Sequence, residues 1–259
     1  MIVTDMDGTL LNSDGAVSER NAAALLRAAD AGAVVVIATG RPVWWLGPVT
    51  DAGFDGTAIC MNGAVVYDVG AKELISAVPI SPEVMQEFVV AFARRVPEFS
   101  VAVERLGTSE VDSWAEYDYD HPWDEGEFRN LPRSELLAMP AVKMLIRGRG
   151  EDSSILAAAA RDTGVRGVSV TYSTNAGLIE IAAGGVNKGV AVAKLAERLG
   201  IGAADVVAFG DMPNDVEMLR WAGRSFAMLD AHPAALDAAG DLAPDNDSDG
   251  VAQILDRWF

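Results

Sequence analysis

Residues Val34–Ala38 form a continuous apolar, largely β-branched run, of the kind found in the central strands of parallel sheets. Earlier in the chain, Ile2–Thr4 predicts another short buried strand. Between the two, Ser18 is a candidate N-cap, apolar residues follow at helical spacing, and Gly32 is placed to end the helix. This pattern is one right-handed βαβ unit, so the chain is expected to build a parallel sheet with a helix over one face.

The same alternation returns near the other end of the chain. Asn187 precedes an amphipathic stretch that Gly200 closes, which predicts a helix. Strands are predicted at Val206–Phe209 and Phe226–Leu229, with a helix at Val216–Trp221 between them. The two ends together predict an α/β fold with a doubly wound, Rossmann-like parallel-sheet core.

The middle of the chain has a different pattern. Predicted helices and strands follow one another there without regular alternation, and the segment 110–129 is acidic and aromatic with weak periodicity. We therefore expect residues 1–80 and 185–259 to form the core, and residues 81–184 to form an inserted α+β domain.

Charge and cysteine content exclude several classes of partner. The chain has 20 Lys and Arg against 38 Asp and Glu, a net charge of −18, so nucleic acid and anionic membrane surfaces are unsuitable partners. Cys60 is the one cysteine, which rules out an intrachain disulfide. The longest apolar run, Ala31–Ala38, is too short to span a bilayer. The expected location is the cytoplasm.

Two aspartates, Asp5 and Asp7, directly follow the first predicted strand. An Asp-x-Asp pair alone has little meaning in so acidic a chain. Other such pairs occur at Asp118/Asp120, Asp245/Asp247 and Asp247/Asp249. The first pair differs in lying at the carboxyl end of a buried strand, where open α/β sheets bind their ligands, and in being followed by Gly8 and Thr9.

Three further segments bring polar residues to corresponding positions. Thr39, Gly40 and Arg41 follow the second predicted strand, although on position alone Thr39 is a candidate N-cap for a helix at Pro42. Lys188 opens the helix after Asn187. The third segment follows the strand Val206–Phe209 and supplies two carboxylates and an amide, from Asp211, Asp215 and Asn214.

Taken in order, the four segments DMDGTLL, ATGR, NKG and GDMPNDVEML resemble the motifs of the haloacid dehalogenase superfamily, specifically its Cof-type sugar-phosphatase branch. The resemblance covers essentially the whole chain, because the insertion at 81–184 falls where this branch carries a large α/β cap. Asn62–Gly63–Ala64 also resembles a loop near the site in Cof-type members, but a simple turn before the strand Val65–Tyr67 explains it equally well.

The resemblance implies a role for each residue. Asp5 is the implied nucleophile and Asp7 the acid/base, which is the combination found in phosphatases and phosphomutases of the superfamily. Mg²⁺ is the implied cofactor, with Asp5, Asp7 (through its carbonyl oxygen), Asp211 and Asp215 at or near the metal. The implied binding residues for phosphate and substrate are Thr39, Gly40, Arg41, Lys188 and Asn214.

We therefore expect a Mg²⁺-dependent phosphatase that hydrolyses a small phosphorylated metabolite, such as a sugar phosphate, through an aspartyl-phosphate. Two alternatives remain at this point: a phosphohexomutase of the same fold, and a non-catalytic phosphosugar-binding protein. Substrate selectivity is expected from the inserted domain. A substrate pocket there could be lined by His121 and the nearby aromatic residues Trp114, Tyr117, Tyr119 and Trp123, but a buried domain core or a surface loop is the favoured interpretation of these residues.

Overall fold

A computed structural model describes residues 1–108, 110–120 and 128–259. The chain divides into two compact units. The core unit comprises Met1–Ser76 and Asn187–Phe259, and the inserted unit comprises Ala77–Val186. His121 and Trp123 lie outside the described residues.

An eight-stranded sheet forms the centre of the core unit, in the order β14-β13-β12-β1-β2-β3-β4-β5. Neighbouring strands from β14 to β3 are parallel, and β4 is antiparallel to β3. The strands are β1 (Ile2–Thr4), β2 (Val35–Ala38), β3 (Thr57–Cys60), β4 (Val65–Asp68), β5 (Glu73–Ala77), β12 (Val207–Gly210), β13 (Arg224–Met228) and β14 (Asp241–Ala243).

Helices cover this sheet in two groups. The core helices are α1 (Glu19–Asp30), α2 (Gly47–Asp51), α6 (Lys188–Leu199), α7 (Val216–Trp221), α8 (Pro233–Leu236) and α9 (Gly250–Leu255). Helix α1 contacts α9, and α6 contacts α7. The chain leaves β1 towards β2 but leaves β12 in the opposite direction, towards β13, so right-handed crossovers place α1 and α7 on opposite faces. The predicted doubly wound α/β fold is confirmed.

The reversal of strand order between β1 and β12 determines where a ligand site can form. Ile2 pairs with Val207 of β12 on one side and with Val35 of β2 on the other. The loops that follow β1 and β12 therefore diverge at their carboxyl ends and open a crevice between them. Asp5 and Asp211 each lie directly after one of these strands.

The inserted unit has its own six-stranded sheet, in the order β10-β11-β9-β6-β7-β8, antiparallel except for the pair β7 and β8. The strands are β6 (Phe99–Glu104), β7 (Ser113–Ala115), β8 (Phe128–Asn130), β9 (Lys143–Gly148), β10 (Val168–Thr171) and β11 (Leu178–Ala183). The helices are α3 (Pro82–Ala93), α4 (Arg133–Leu136) and α5 (Ser153–Arg161). Within it, Lys143 is buried with its Nζ 2.8 Å from Glu104 Oε2 and 3.5 Å from Glu180 Oε2.

Local signals in the sequence predicted the capped helices well. The Ser18 hydroxyl accepts a hydrogen bond from the Asn21 amide, the Asn187 side chain accepts one from the Val190 amide, and Gly200 ends α6 in the left-handed conformation. Within the described residues, no helix has the length and apolar character needed to cross a membrane.

Candidate active site

The turn after β1 brings Asp5 inward and leaves Asp7 outside. The Asp5 amide donates to the Phe209 carbonyl at 3.1 Å, and only 4% of Asp5 is exposed. The Asp7 side chain is 58% exposed. Gly8 then takes φ +71°, and a Cβ added there would lie 2.3 Å from Asp211 Oδ2, so glycine is required on both counts. This turn packs directly on the loop after β12.

The loop after β12 is organised by Asp215. One of its carboxylate oxygens, Oδ2, accepts hydrogen bonds from the amides of Asp211 at 3.0 Å and Met212 at 3.1 Å. The Thr9 hydroxyl donates to Asp211 Oδ1 at 3.2 Å. Both carboxylates are therefore fixed in position by neighbours from this loop and from the β1 turn.

Lys188, the first residue of α6, lies between two of these carboxylates. Its side chain is fully buried, with Nζ 2.6 Å from Asp5 Oδ1 and 2.7 Å from Asp215 Oδ1. Burial alone lowers the pKa of a lysine, but the charges of Asp215 and Asp5 raise the pKa of Lys188 by more, so it stays protonated.

Asp5, Asp211 and Asp215 form a compact carboxylate cluster, in which one ligand atom from each lies within 4.8 Å of the others. Three carboxylates and one ammonium leave two uncompensated negative charges. Burial, together with the charges of Asp215, Asp211 and Asp7, raises the pKa of Asp5 well above its usual range, against the opposing charge of Lys188. Burial, followed by the charge of Asp215, raises the pKa of Asp211 to about 7.

A divalent cation fits this carboxylate cluster. It would balance the two excess charges and remove the electrostatic cause of the raised pKa values. The available donors are carboxylate oxygens, the ligand type that Mg²⁺ and Ca²⁺ prefer. The residues present therefore suit a hard metal ion held by oxygen ligands.

Thr39 and Arg41 follow β2 at the same edge of the sheet. The prediction that Thr39 caps a helix at Pro42 is wrong, because the next helical turn begins at Val43 and Pro42 precedes it. The buried Thr39 hydroxyl instead accepts the Arg41 amide at 3.0 Å. The Arg41 guanidinium donates from Nε to Asp7 Oδ2 at 2.8 Å and from Nη2 to Asp7 Oδ1 at 2.6 Å. Hydrogen bonding to the Asp7 side chain is the largest cause of the raised pKa of Arg41.

Asn62 contacts two of the predicted site residues, Asn214 and Thr39. The sequence alone fitted either a loop near the site or a simple turn at this position. Its Oδ1 accepts a hydrogen bond from Asn214 Nδ2 at 3.0 Å. Its amide donates to the Thr39 carbonyl at 3.0 Å. Asn62 and Met61 both have positive φ, 54° and 52°, conformations that are uncommon outside glycine. Asn214 Oδ1 is buried without a hydrogen-bond partner among the described residues, so it is placed to accept one from a ligand or water.

All nine predicted site residues lie in the core unit, at the carboxyl ends of β1, β2 and β12 and at the start of α6. Asp5, Lys188, Asp211 and Asp215 form one cluster. Among the other predicted residues, Asp7 contacts the Arg41 side chain, and Thr39 contacts the Arg41 backbone. Gly40 lies between Thr39 and Arg41 in the chain. Asn214 contacts Asn62, which was not among the predicted site residues.

Comparison with known proteins agrees with this geometry. The family model of the haloacid dehalogenase-like hydrolases matches residues 2–255. The chain is 29% identical to the 5-amino-6-(5-phospho-D-ribitylamino)uracil phosphatase YwtE of Bacillus subtilis (strain 168), over 99% of this chain and 96% of the relative. It is 27% identical to the pyridoxal phosphate phosphatase YbhA of Escherichia coli (strain K12), over 98% of this chain and 97% of the relative.

Among solved structures, SMU.1108c from Streptococcus mutans UA159 superposes with a TM-score of 0.85 at 25% identity, covering 99% of this chain and 97% of that one. The similarity to these proteins extends over both units and is not confined to the motifs. The chain therefore belongs to the haloacid dehalogenase-like hydrolases, in their Cof-type branch, and is a phosphoric monoester hydrolase.

Proposed function

We propose that this chain is a Mg²⁺-dependent phosphatase that hydrolyses a small phosphorylated metabolite through an aspartyl-phosphate on Asp5. The observation that carries the proposal is the position of Asp5, buried at the carboxyl end of β1 with its carboxylate against Lys188 Nζ at 2.6 Å. Lysine fixes the orientation of the carboxylate and keeps a positive charge where a phosphate would arrive.

The first step is an in-line displacement. An oxygen of Asp5 forms a bond to phosphorus as the bond from phosphorus to the leaving oxygen breaks. Asp7, which is exposed on the same turn, donates a proton to that leaving oxygen. Mg²⁺ held by Asp5, Asp211, the Asp7 carbonyl oxygen and, directly or through water, Asp215 would offset the repulsion between the carboxylates and the phosphate.

The second step returns the enzyme to its starting state. Asp7 takes a proton from a water molecule, whose oxygen bonds to phosphorus while the bond between phosphorus and Asp5 breaks. Inorganic phosphate leaves, and both aspartates regain their original forms. Thr39, Gly40 and Lys188 bind the phosphate oxygens in this proposal. Asn214 contributes on the substrate side its Oδ1, which has no hydrogen-bond partner within the described part of the chain.

Small phosphate monoesters are the proposed substrate class, with sugar phosphates foremost. The relatives are named as phosphatases of a phosphoribityl-aminouracil, of pyridoxal phosphate and, in Halobacterium salinarum, of phosphoglycolate. These compounds share a phosphate ester and differ in the alcohol that carries it, so we propose that the inserted unit acts as a cap that selects the leaving group. Part of the segment 110–129 expected to do so, residues 121–127, lies outside the described residues.

The proposal is tested by replacing Asp5 with Asn, which keeps the shape of the side chain and removes the attacking charge. Hydrolysis of an aryl phosphate and of a sugar-phosphate panel with Mg²⁺ should fall by about four to six orders of magnitude, as for other lost nucleophiles. Asp14→Asn is the matched control, an exposed aspartate in the following turn, and should leave activity unchanged.

Labelled phosphate should be recovered on the peptide containing Asp5 after an acid quench of the wild-type enzyme. Retention of more than a few per cent of activity by Asp5→Asn would contradict the mechanism. Isomerisation of a hexose phosphate without release of inorganic phosphate would instead favour the phosphohexomutase, and no turnover of any phosphate ester would favour the binding protein.

A further inference from the structure

The geometry points to Arg41 as a positioning residue that orients Asp7 for proton transfer, an inference that rests on the function proposed above. Asp7 lies on a turn with more than half of its side chain exposed, and an exposed carboxylate is free to rotate unless a neighbour restrains it. Within the described part of the chain, Arg41 supplies both recorded hydrogen bonds to the Asp7 carboxylate, at 2.6 and 2.8 Å.

Arg41 is itself well fixed. Its amide donates to the Thr39 hydroxyl at 3.0 Å, and its carbonyl accepts from the Met61 amide at 3.0 Å. Its guanidinium also donates from Nη1 to the Trp45 carbonyl at 3.4 Å. The Arg41 side chain is 24% exposed, against 58% for Asp7. The restraint therefore passes from the buried end of β2 to an otherwise loosely held carboxylate.

The bidentate arrangement has a consequence that a single contact does not have. Two parallel N–H···O bonds fix the plane of the carboxylate as well as its distance. A carboxylate has about four lone-pair sites, so two remain available for exchanging a proton with a leaving oxygen or a water. Lysine, as a point charge, cannot fix that plane.

The same contacts argue against the role that the resemblance implied for Arg41, binding the phosphate directly. The Nε and Nη2 edge, the one that matches a phosphate in bidentate fashion, is occupied by Asp7, and Nη1 is turned to Trp45. A phosphate contact would require Arg41 to release Asp7.

The experiment compares Arg41→Gln, Arg41→Lys, Asp7→Asn and the double variant Asp7→Asn/Arg41→Gln on phosphate esters with a range of leaving groups. If Arg41 acts through Asp7, Arg41→Gln should lower kcat by about 10- to 100-fold for alkyl phosphates and leave activated aryl phosphates within about threefold, because their leaving groups need little protonation. Arg41→Lys should recover only part of the loss. The double variant should be no slower than Asp7→Asn alone.

Arg198→Gln, an exposed arginine on α6, is the matched control and should behave as wild type. Equal losses on all leaving groups, with effects of Arg41→Gln and Asp7→Asn that multiply, would overturn the inference and assign Arg41 to phosphate binding. If Arg41→Gln fails to fold, Arg41→Lys is used instead. A larger loss on alkyl than on activated aryl phosphates supports the inference, and an equal loss on both contradicts it. Asp5→Asn distinguishes a failure of this inference from a failure of the proposed function. Its loss of activity tests the proposed function, whatever result the Arg41 variants give.

Discussion

Lys188 offers the sharpest test of how the site is held together. Lys188→Met keeps most of the side-chain volume but removes the one ammonium that contacts both Asp5 and Asp215, at 2.6 and 2.7 Å. Removing one partner from a buried ion pair costs about 3–5 kcal/mol, because the remaining charge stays buried without compensation. For a chain of this size that corresponds to a fall in melting temperature of about 6–20 °C.

The size of the loss should depend on pH and on metal. Without the lysine, the raised folded-state pKa values of Asp5 and Asp211 rise further, so the folded protein takes up protons more readily than the unfolded chain. Stability then increases as pH falls, and the deficit of Lys188→Met should be smaller at pH 6 than at pH 8. In the proposed function, Mg²⁺ would supply positive charge to the same cluster and should also reduce the stability deficit of Lys188→Met.

The assay is thermal unfolding followed by circular dichroism, in EDTA and in Mg²⁺, at both pH values. Lys194→Met is the matched control, because Lys194 is exposed on the same helix and should lose little stability. Adding Asp215→Asn to Lys188→Met should recover part of the loss, since it removes one of the stranded charges. The reasoning is refuted if the free energy of unfolding of Lys188→Met in EDTA lies within about 0.5 kcal/mol of that of Lys194→Met, the usual effect of a surface substitution.

Three further outcomes are expected. EDTA should abolish hydrolysis and Mg²⁺ should restore it, so full activity in chelator would be incompatible with the metal role. Mg²⁺ at 100 times its dissociation constant should also stabilise the fold by about 2.7 kcal/mol in a thermal melt. Gly8→Ala should lose both activity and Mg²⁺ stabilisation, because its Cβ would lie 2.3 Å from Asp211 Oδ2. The control Gly15→Ala has a similar φ of +74° but open space around it, so it should cost only about 1–2 kcal/mol of strain. Equal behaviour of the two variants would show that Asp211 tolerates displacement. Asn62→Ala should destabilise the protein by about 1–3 kcal/mol in urea unfolding by leaving Asn214 Nδ2 unpaired, and Asn62→Gly, which relaxes the backbone, should lose less; no loss in either would mean that water replaces the amide.

The sequence was most informative where a local rule decides the structure. Ser18, Asn187 and Gly200 predicted helix ends that the structure confirms, because caps depend on a few neighbouring residues. The carboxyl ends of β1 and β12 were predicted as the site for a similar reason, since buried apolar runs mark the strands and parallel strands share an edge. Val216–Trp221 was predicted to belong to a helix, and the structure has a helix over these residues.

Contacts between distant segments could not be predicted in this way. Nothing local to Arg41 indicates that its guanidinium will bind Asp7, a residue of another loop, and the same holds for the amide pair of Asn62 and Asn214. The hydroxyl of Thr39 looked like a helix cap because a turn does follow, but that turn begins later, at Val43. Such contacts depend on which loops the folded sheet brings together. Local patterns along the chain do not indicate this arrangement.

The strand order also determines when, during protein synthesis, this enzyme can become active. Strand β1 is made long before its partner β12, because Ile2 pairs with Val207, which comes much later in the sequence. Until that segment leaves the ribosome, one edge of β1 has no partner, and unpaired strand edges favour association with other chains. At about 5–20 residues per second, the stretch Asn187–Phe259 takes about 4–15 s to make. Lys188, Asp211 and Asp215 all lie in that stretch, so a nascent chain carries Asp5, the proposed nucleophile, long before it has the residues that Asp5 contacts in the folded site.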